Sequence, residues 1–316
     1  MLINFSGNIF KQLFGIVFHN RFNIMVFATI GTIAYLTHHK FGWDEVVLPL
    51  VPVSILGGAL AIFLGFRNSS AYDRWWEARK IWGGVINKSR SFAMLIMSFA
   101  SEFHSDNKVS SEEIEKWKKE LVHRHLAWTV ALKMQLLRHD TWEDLSKFIT
   151  SEELNALKGY TNKATQLIHI QGGRLKDAYE LGIIEDFRHM ELAGVLQNLY
   201  DLQGRAERIK NTVFPYYYNY FTRLFLWMFA LSLPFGLVGT MGWGTIPMNM
   251  AISFVFFILE KAGSVTEDPF ENRAADIPIH SITRTIEIDL REMLGESDIP
   301  NPLPIQHGRF GVRFQS

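Results

Sequence analysis

Long apolar stretches without charge alternate with charged sequence along this chain. Three stretches contain no Asp, Glu, Lys or Arg: residues 22–37, 46–66 and 224–259. They are 16, 21 and 36 residues long, and uncharged runs of about 20 residues are typical of transmembrane helices. The longest run exceeds one crossing, and turn-forming residues at 239–247 divide it into two predicted helices, at about 217–238 and 246–260. The pattern therefore predicts four membrane-spanning helices in two hairpins.

The basic residues predict how these hairpins are oriented. Lys40 is the only Lys or Arg in the two hairpin tips, whereas the opposite ends of the spans are rich in both. Lys and Arg accumulate on the cytoplasmic side of membrane proteins. We therefore expect both termini, and the large segment between the hairpins, to lie in the cytoplasm.

The segment before the first span predicts a helix of its own. Within residues 3–18, apolar side chains recur every four positions from Phe5 to Val17, which places them on one helical face. Such a helix suits the interface between membrane and water. Packing of the same face against another part of the protein is an equally good interpretation.

The charged sequence between the hairpins predicts helices rather than strands. Residues 67–210 show no strand alternation, and both Ser110 and Thr150 are followed three residues later by a glutamate. This spacing is typical of a capping box at the start of a helix, where the hydroxyl and the carboxylate satisfy free amides. The pair Gly172-Gly173 predicts a helix break.

The polar C-terminal tail predicts one short helix, near residues 281–294, followed by a proline-rich end. Such a tail has too few apolar residues for a core of its own. We therefore expect residues 269–306 to dock on another surface, either on their own subunit or on an adjacent one. The predicted regions are an interfacial helix with the first hairpin, a cytoplasmic helical region, the second hairpin and a cytoplasmic tail: residues 1–66, 67–210, 211–260 and 261–316.

Composition and motifs exclude several classes of function. The 32 basic and 32 acidic residues give no net charge, whereas a nucleic-acid partner requires a basic face. The chain has no cysteine, which excludes disulfides, thiolate nucleophiles and cysteine metal sites. Its 11 histidines follow no metal-binding spacing, and no phosphate-binding or catalytic serine motif occurs. We expect no metal, no cofactor and no enzymatic activity.

The second span carries a stripe that suggests a pore. Every fourth residue from position 54 shares one slowly drifting helical face, on which Gly58, Ile62 and Phe66 follow one another. In a ring of identical helices, such a face can form a narrow apolar constriction that controls ion flow by wetting and dewetting. The alternative is that these residues only pack within a monomeric bundle.

Two motifs resemble the bestrophin ion channels, in their bacterial branch. Residues 62–80 have the sequence IFLGFRNSSAYDRWWEARK, and residues 267–270 have the sequence EDPF. The resemblance implies an all-α integral membrane protein in the bacterial inner membrane, with four transmembrane helices and a large cytoplasmic helical region. It also implies a homopentamer around one axial pore, which passively conducts small monovalent ions. Chloride-type anions are usual in this family, and bacterial members include cation conductors.

The resemblance also assigns pore residues. The neck is expected at Gly58, Ile62 and Phe66, although Gly58 replaces the branched apolar residue usual at the outer position. A second constriction at the cytoplasmic exit is expected between positions 183 and 187, and the candidates are Ile183, Ile184 and Phe187.

The resemblance does not extend to a calcium site. Eukaryotic members bind calcium through an acidic cluster after the Pro-Phe pair. Here Arg273 and Ala275 stand where carboxylates are expected, so we expect the calcium site to be lost, with Asp268 and Asp276 in structural roles.

The sequence alone is also compatible with a second class of function. A membrane scaffold or receptor could use the cytoplasmic helices to bind partners and have no open pore. Ion flux through liposomes that contain the purified protein distinguishes the two functions.

Overall fold

The computed structural model describes residues 4–5, 9–102, 109–307 and 312–314. These residues are nearly all helical. The helices are α1 (Ile9–His19), α2 (Arg21–His39), α3 (Leu50–Phe99), α4 (Ser111–Leu137), α5 (Trp142–Ser146), α6 (Ser151–Lys158), α7 (Lys163–Glu180), α8 (Asp186–Asn211), α9 (Tyr216–Met241), α10 (Thr245–Thr266) and α11 (Ile279–Met293). The strands are β1 (Asn4–Phe5), β2 (Gln306–His307) and β3 (Val312–Phe314).

The apolar helices form one bundle. Helix α10 packs against α2, α3 and α9, and both α2 and α3 pack against α9. A small core of leucines with Val53 and Phe229 joins α3 to α9. Gly57 lets the ring of Phe229 pack against the backbone of α3, because a Cβ there would lie 2.7 Å from that ring. Small residues play this role in membrane helix packing, where burial away from water supplies little driving force.

Two stretches of the described chain are long and apolar enough to cross a membrane: Asp44–Phe99 and Tyr217–Thr266. The second stretch contains α9 and α10, which a short 3₁₀ turn at Gly242–Gly244 joins into a hairpin. This agrees with the division of the apolar run predicted at 239–247. Helix α10 continues to Thr266, six residues beyond the predicted end. Its last turns are packed, with Glu260 and Gly263 buried.

Helix α3 connects the apolar bundle to the rest of the protein. It runs for 50 residues without interruption, from the apolar second span into charged sequence. Its two prolines fit this length: Pro49 directly precedes the helix, and Pro52 lies in its first turn, where an amide has no helical partner to lose.

The charged helices form a second body with its own large core. Helix α4 packs against α7, α8 packs against α3 and α7, and the buried residues form one continuous cluster. The capping box at Ser110 is complete, with its hydroxyl and the carboxylate of Glu113 each bonded to the other residue's amide. At Thr150, the hydroxyl accepts from the amide of Glu153.

The glycine pair does not break a helix. Gly172 and Gly173 lie inside α7, which is continuous from Lys163 to Glu180. The prediction of a break there is wrong. Glycine costs about 1 kcal/mol in a helix interior, and burial of one face of α7 against α4 and α8 compensates for this cost.

The N-terminal prediction is wrong at its start. Helix α1 begins at Ile9, whereas Asn4 and Phe5 form β1 and pair with β3 near the other end of the chain. Strand β3 also pairs with β2, and both pairings are antiparallel. Residues 6–8 of the predicted helix lie outside the described residues. The class is therefore nearly all-helical, with a small sheet that joins the two termini.

The C-terminal helix docks on its own subunit. Helix α11 begins two residues before its predicted start and packs against α3 and α4. Phe270, Ile277 and Ile279 are buried in the main core. Of the two docking surfaces expected for the tail, the part up to α11 uses its own chain, whose fold it completes. Docking on an adjacent subunit stays a prediction for the proline-rich segment beyond.

Two truncations separate these two parts of the tail. Removal of residues 269–316 should prevent folding of the subunit, because it uncovers the core beneath α11. Removal of residues 299–316 should leave the subunit folded and lower the thermal stability of the oligomer. Size exclusion in mild detergent, with a thermal melt of each oligomer peak, measures both effects. An unchanged peak and melting temperature after the shorter deletion would argue against docking between subunits.

Candidate functional site: the exposed face of helix α3

One face of α3 is fully used by packing within the subunit. An α-helix turns about 100° per residue, so positions spaced by three and four residues fall on one side. At this rotation, the buried residues between positions 53 and 71 lie on the side of α3 that is about 180° from Ile62. Its buried residues are Val53, Gly57, Leu60, Leu64, Arg67 and Ala71.

The predicted neck residues lie together on the opposite face. The side chains of Ile62 and Phe66 are 64% and 68% exposed within one subunit. Gly58 continues the same line, and a Cβ there would meet no atom within 4 Å. Large apolar side chains at this exposure are covered in the working protein by lipid, by another subunit or by a narrow pore. The structure thus places the three residues on one free face.

A buried ion cluster fixes α3 directly below this face. The guanidinium of Arg67 is fully buried, with one nitrogen 3.2 Å from a carboxylate oxygen of Glu260 and another 3.1 Å from one of Glu267. Asn219 on α9 donates to the second carboxylate oxygen of Glu267 at 3.0 Å. A buried guanidinium needs such partners, because desolvation of an unpaired charge is costly. The cluster therefore couples α3, α9 and α10 at one level.

This cluster was missed by sequence reasoning, which counted Arg67 only as a basic residue at the end of a span. The sequence did contain a signal for this cluster. Glu260 and Glu267 are the first two carboxylates after the uncharged run 224–259 and lie seven residues apart, a spacing that places them on one face of a helix. A charged residue at the end of an apolar helix implies a partner, and these two acids were the candidates.

Asn68 brings α3 and α10 into close contact beside the cluster. Its side-chain amide donates to the backbone oxygen of Leu259 at 3.0 Å. A Cβ at Gly263 would overlap the side-chain oxygen of Asn68, so glycine leaves room for this side chain at the crossing. Helix α3 is thus held against α10 by this close side-chain contact as well as by charge.

The next turns of α3 are bonded to the C-terminal end of α8 and to the loop that follows α10. The guanidinium of Arg74 donates to the backbone oxygens of Ile209 and Thr212, the latter at 2.7 Å. The indole nitrogen of Trp75 donates to the backbone oxygen of Ala275 at 3.1 Å. These contacts fix the rotation of α3 about its axis, and therefore which side chains the free face presents.

The acidic loop after α10 has a structural role in this chain. One oxygen of Asp276 accepts from the backbone amides of Glu271 and Arg273, at 2.9 and 3.0 Å. Burial raises the pKa of this carboxyl, and the two amides oppose that rise. A carboxylate oxygen of Asp268 lies 3.9 Å from a guanidinium nitrogen of Arg74. The Asp276 oxygen is therefore occupied by backbone amides, in agreement with the structural role expected for it.

The candidate exit residues lie in one turn but face different surroundings. Ile183 and Ile184 are buried in the main core, and the backbone oxygen of Ile183 accepts from the amide of Ser101 at 3.2 Å. Phe187, in the first turn of α8, is 83% exposed. Of the three, Phe187 presents its side chain outside the subunit.

Comparison with known proteins shows which family this chain resembles. A profile described as Bacterial/Fungal Bestrophin protein matches residues 1–292. A voltage-dependent anion channel-forming protein of Mesorhizobium japonicum is 30% identical over 283 residues, which are 90% of this chain and 87% of that protein. The voltage-dependent anion channel-forming protein YneE of Escherichia coli strain K12 is 31% identical over 259 residues, 82% of this chain and 81% of that protein.

Solved structures agree with these relatives. The crystal structure of a bacterial bestrophin homolog from Klebsiella pneumoniae superimposes with a TM-score of 0.79 at 26% sequence identity, covering 87% of this chain and 98% of that one. The similarity therefore extends over almost the whole relative, including the apolar bundle and the second helical body.

The matches support three of the expectations drawn from the sequence. The resemblance of residues 62–80 and 267–270 to bestrophins is confirmed, as is the expectation of a membrane protein. The expectation that the chain is not an enzyme is confirmed by its family, whose relatives above are named for channel formation. The chain belongs to the bestrophin family, in its bacterial and fungal branch.

Proposed function

We propose that this chain assembles as a homopentamer around one axial pore, and that the free face of α3 lines the neck of that pore. The observation that carries the proposal is the exposure of Ile62 and Phe66 on a helix whose other face is fully packed. The names of the relatives, which form anion channels, support the same function.

The neck would act on ions through dehydration. Ile62 and Phe66 offer no charge and no hydrogen bond, so an ion that passes them loses part of its hydration shell. Gly58 adds no side chain, which leaves the outer end of the neck wide or lined by backbone. Flow through such a pore is passive and needs no cofactor. Small monovalent ions hold their water less tightly than divalent ions, so they pass at the lower cost.

The membrane arrangement follows from the same bundle. The four spans would be α2, the first part of α3, α9 and α10, within the inner membrane of a bacterium. Both chain termini and the charged helices would lie in the cytoplasm, because basic residues concentrate at that end of the spans. Exposed side chains such as Ile33 and Val255 would contact lipid.

The second constriction is assigned to the turn around residues 183–187. Phe187 would face the axis at the cytoplasmic exit, since its side chain is the exposed one. Ile183 and Ile184 would support it from the core, where their burial fixes the position of the turn.

The sign of the ion has two candidates. The names of the relatives favour chloride-type anions. Conduction of cations is favoured by one feature of this chain, the exposed carboxylate of Asp73 on the same face of α3 as Ile62.

Two measurements on the purified protein test the proposal. Mass determination in detergent should give five chains per particle, and liposomes that contain the protein should release a monovalent salt gradient. A monomer cannot place several copies of Ile62 around an axis, so a monomeric mass would contradict the proposal. Pentamers in liposomes that stay tight to monovalent ions would favour the alternative function, a membrane scaffold or receptor that binds partners through its cytoplasmic helices.

A further inference from the structure

Asp73 continues the line of the proposed neck residues. It follows Ile62 by 11 residues and Phe66 by seven, which amounts to a rotation of about 20° from either residue at 3.6 residues per turn. The helix is continuous over this whole stretch. The carboxylate therefore lies on the free face of α3, about 10 Å beyond Phe66 along the helix axis at 1.5 Å per residue.

The carboxylate of Asp73 is not engaged within the subunit. The side chain is exposed, and among the residues that the structure describes no cation pairs with it and no donor bonds to it. Two neighbouring arginines of α3 are occupied elsewhere. Arg67 holds Glu260 and Glu267 in the buried cluster, and Arg74 donates to backbone oxygens at the C-terminal end of α8.

Glu77 and Lys80, the next charges on this face of α3, differ from Asp73 because they are paired with each other. Arg79 lies about 100° away from the line through Ile62 and Lys80. Glu77 lies 2.7 Å from the ammonium of Lys80 and also contacts the guanidinium of Arg205. These two cations hold the pKa of the half-buried Glu77 carboxyl below its usual range. Lys80 lies about 10 Å beyond Asp73 along the helix, a separation at which salt screens most of its influence.

We propose that Asp73 selects the sign of the permeating ion. Rings of Asp or Glu favour cations in channels, and rings of Lys or Arg favour anions. If the free face of α3 lines an axial pore, each subunit adds one unpaired carboxylate to a ring just inside the neck. That ring attracts cations to the inner mouth and repels anions from it, whereas the apolar neck treats both signs alike. The inference rests on the proposed function.

The size of the effect follows from Coulomb attraction in water. If five carboxylates are taken to lie about 8 Å from the axis, Coulomb's law with physiological screening gives a roughly tenfold change in the ratio of cation to anion permeability. Removal of the Asp73 carboxylates should therefore lower the ratio of cation to anion permeability roughly tenfold at about 0.1 M salt. The shift should become much smaller at about 1 M salt, where the screening length is about 3 Å.

Reversal potentials in planar bilayers under a potassium chloride gradient test this inference. The Asp73→Asn variant should move the reversal potential toward that of chloride, and Asp73→Lys should move it further. Asp201→Asn is the matched control, because Asp201 is an exposed aspartate on α8 and not on the free face. It should leave the reversal potential at the parental value.

A cysteine variant tests the same charge in a channel that is already assembled. The natural chain contains no cysteine, so Asp73→Cys provides a single thiol. A negatively charged methanethiosulfonate reagent should restore the parental reversal potential. A positively charged reagent of the same class should shift it toward chloride. The Asp201→Cys variant should respond to neither reagent.

The outcomes separate this inference from the proposed function. If the parent conducts and every Asp73 variant keeps its reversal potential, the inference is wrong and the channel stands. If the parent conducts no ions, the proposed function is wrong and the inference falls with it. If neither Asp73→Asn nor Asp73→Cys assembles, Asp73 serves assembly rather than ion selection, which also overturns the inference.

Discussion

Replacement of Arg67 by Met should destabilise the subunit by about 3–5 kcal/mol, the cost of removing one partner from a buried ion pair. The change leaves the carboxylates of Glu260 and Glu267 without the guanidinium that they share. Glu260 lies on α10, Glu267 directly follows that helix and the arginine lies on α3, so the packing of α3 against α10 should loosen. A lower melting temperature of the detergent-solubilised protein, or loss of the oligomer peak, measures the effect.

Two controls show whether charge is the cause. The triple variant Arg67→Met, Glu260→Gln, Glu267→Gln has no buried charge at this site and should recover most of the lost stability. Arg223→Gln removes a partner of Glu260 that lies 3.4 Å away with a side chain 63% exposed. It should cost less than about 1 kcal/mol, as exposed pairs do. A triple variant as unstable as Arg67→Met would show that packing, and not charge, is the main contribution of Arg67.

Replacement of Ile62 or Phe66 by Ala should raise ion flux through the reconstituted protein. Each change removes a large apolar side chain from the free face of α3, which widens the proposed neck and makes it easier to wet. Each 1.4 kcal/mol removed from the barrier corresponds to a roughly tenfold faster flux. Single-channel conductance in planar bilayers, normalised to the amount of assembled protein, measures the change. Both residues are exposed within the subunit, so folding should be little affected.

Val255→Ala provides the matched control for the neck variants. Val255 is 56% exposed on α10 and is also apolar and membrane-facing in the proposed arrangement. Its shortening should leave conductance at the parental value. If the Ile62 and Phe66 variants assemble and conduct like the parent, the pore does not follow this face of α3.

The sequence by itself determined most of the helices and the family. The division between α9 and α10 follows from the glycines around position 242. The start of α4 follows from the capping box at Ser110. Each of these features depends on residues within a few positions of one another, so local periodicity and local hydrogen bonding suffice to predict them. The alignment of Gly58, Ile62 and Phe66 on one face is local in the same sense.

The tertiary structure alone decided the features that depend on distant residues. The glycine pair at 172–173 stays helical because α4 and α8 pack against α7. Strand β1 forms because it pairs with β3, which lies about 300 positions away in the sequence. Helix α11 joins the core of its own chain, since its apolar face meets α3 and α4. Arg67 is buried because Glu260 of α10 and Glu267 directly after that helix approach it, and no local pattern around Arg67 specifies that approach. Contacts between residues so far apart are set by how the helices pack, and the same packing turns the free face of α3 away from the core.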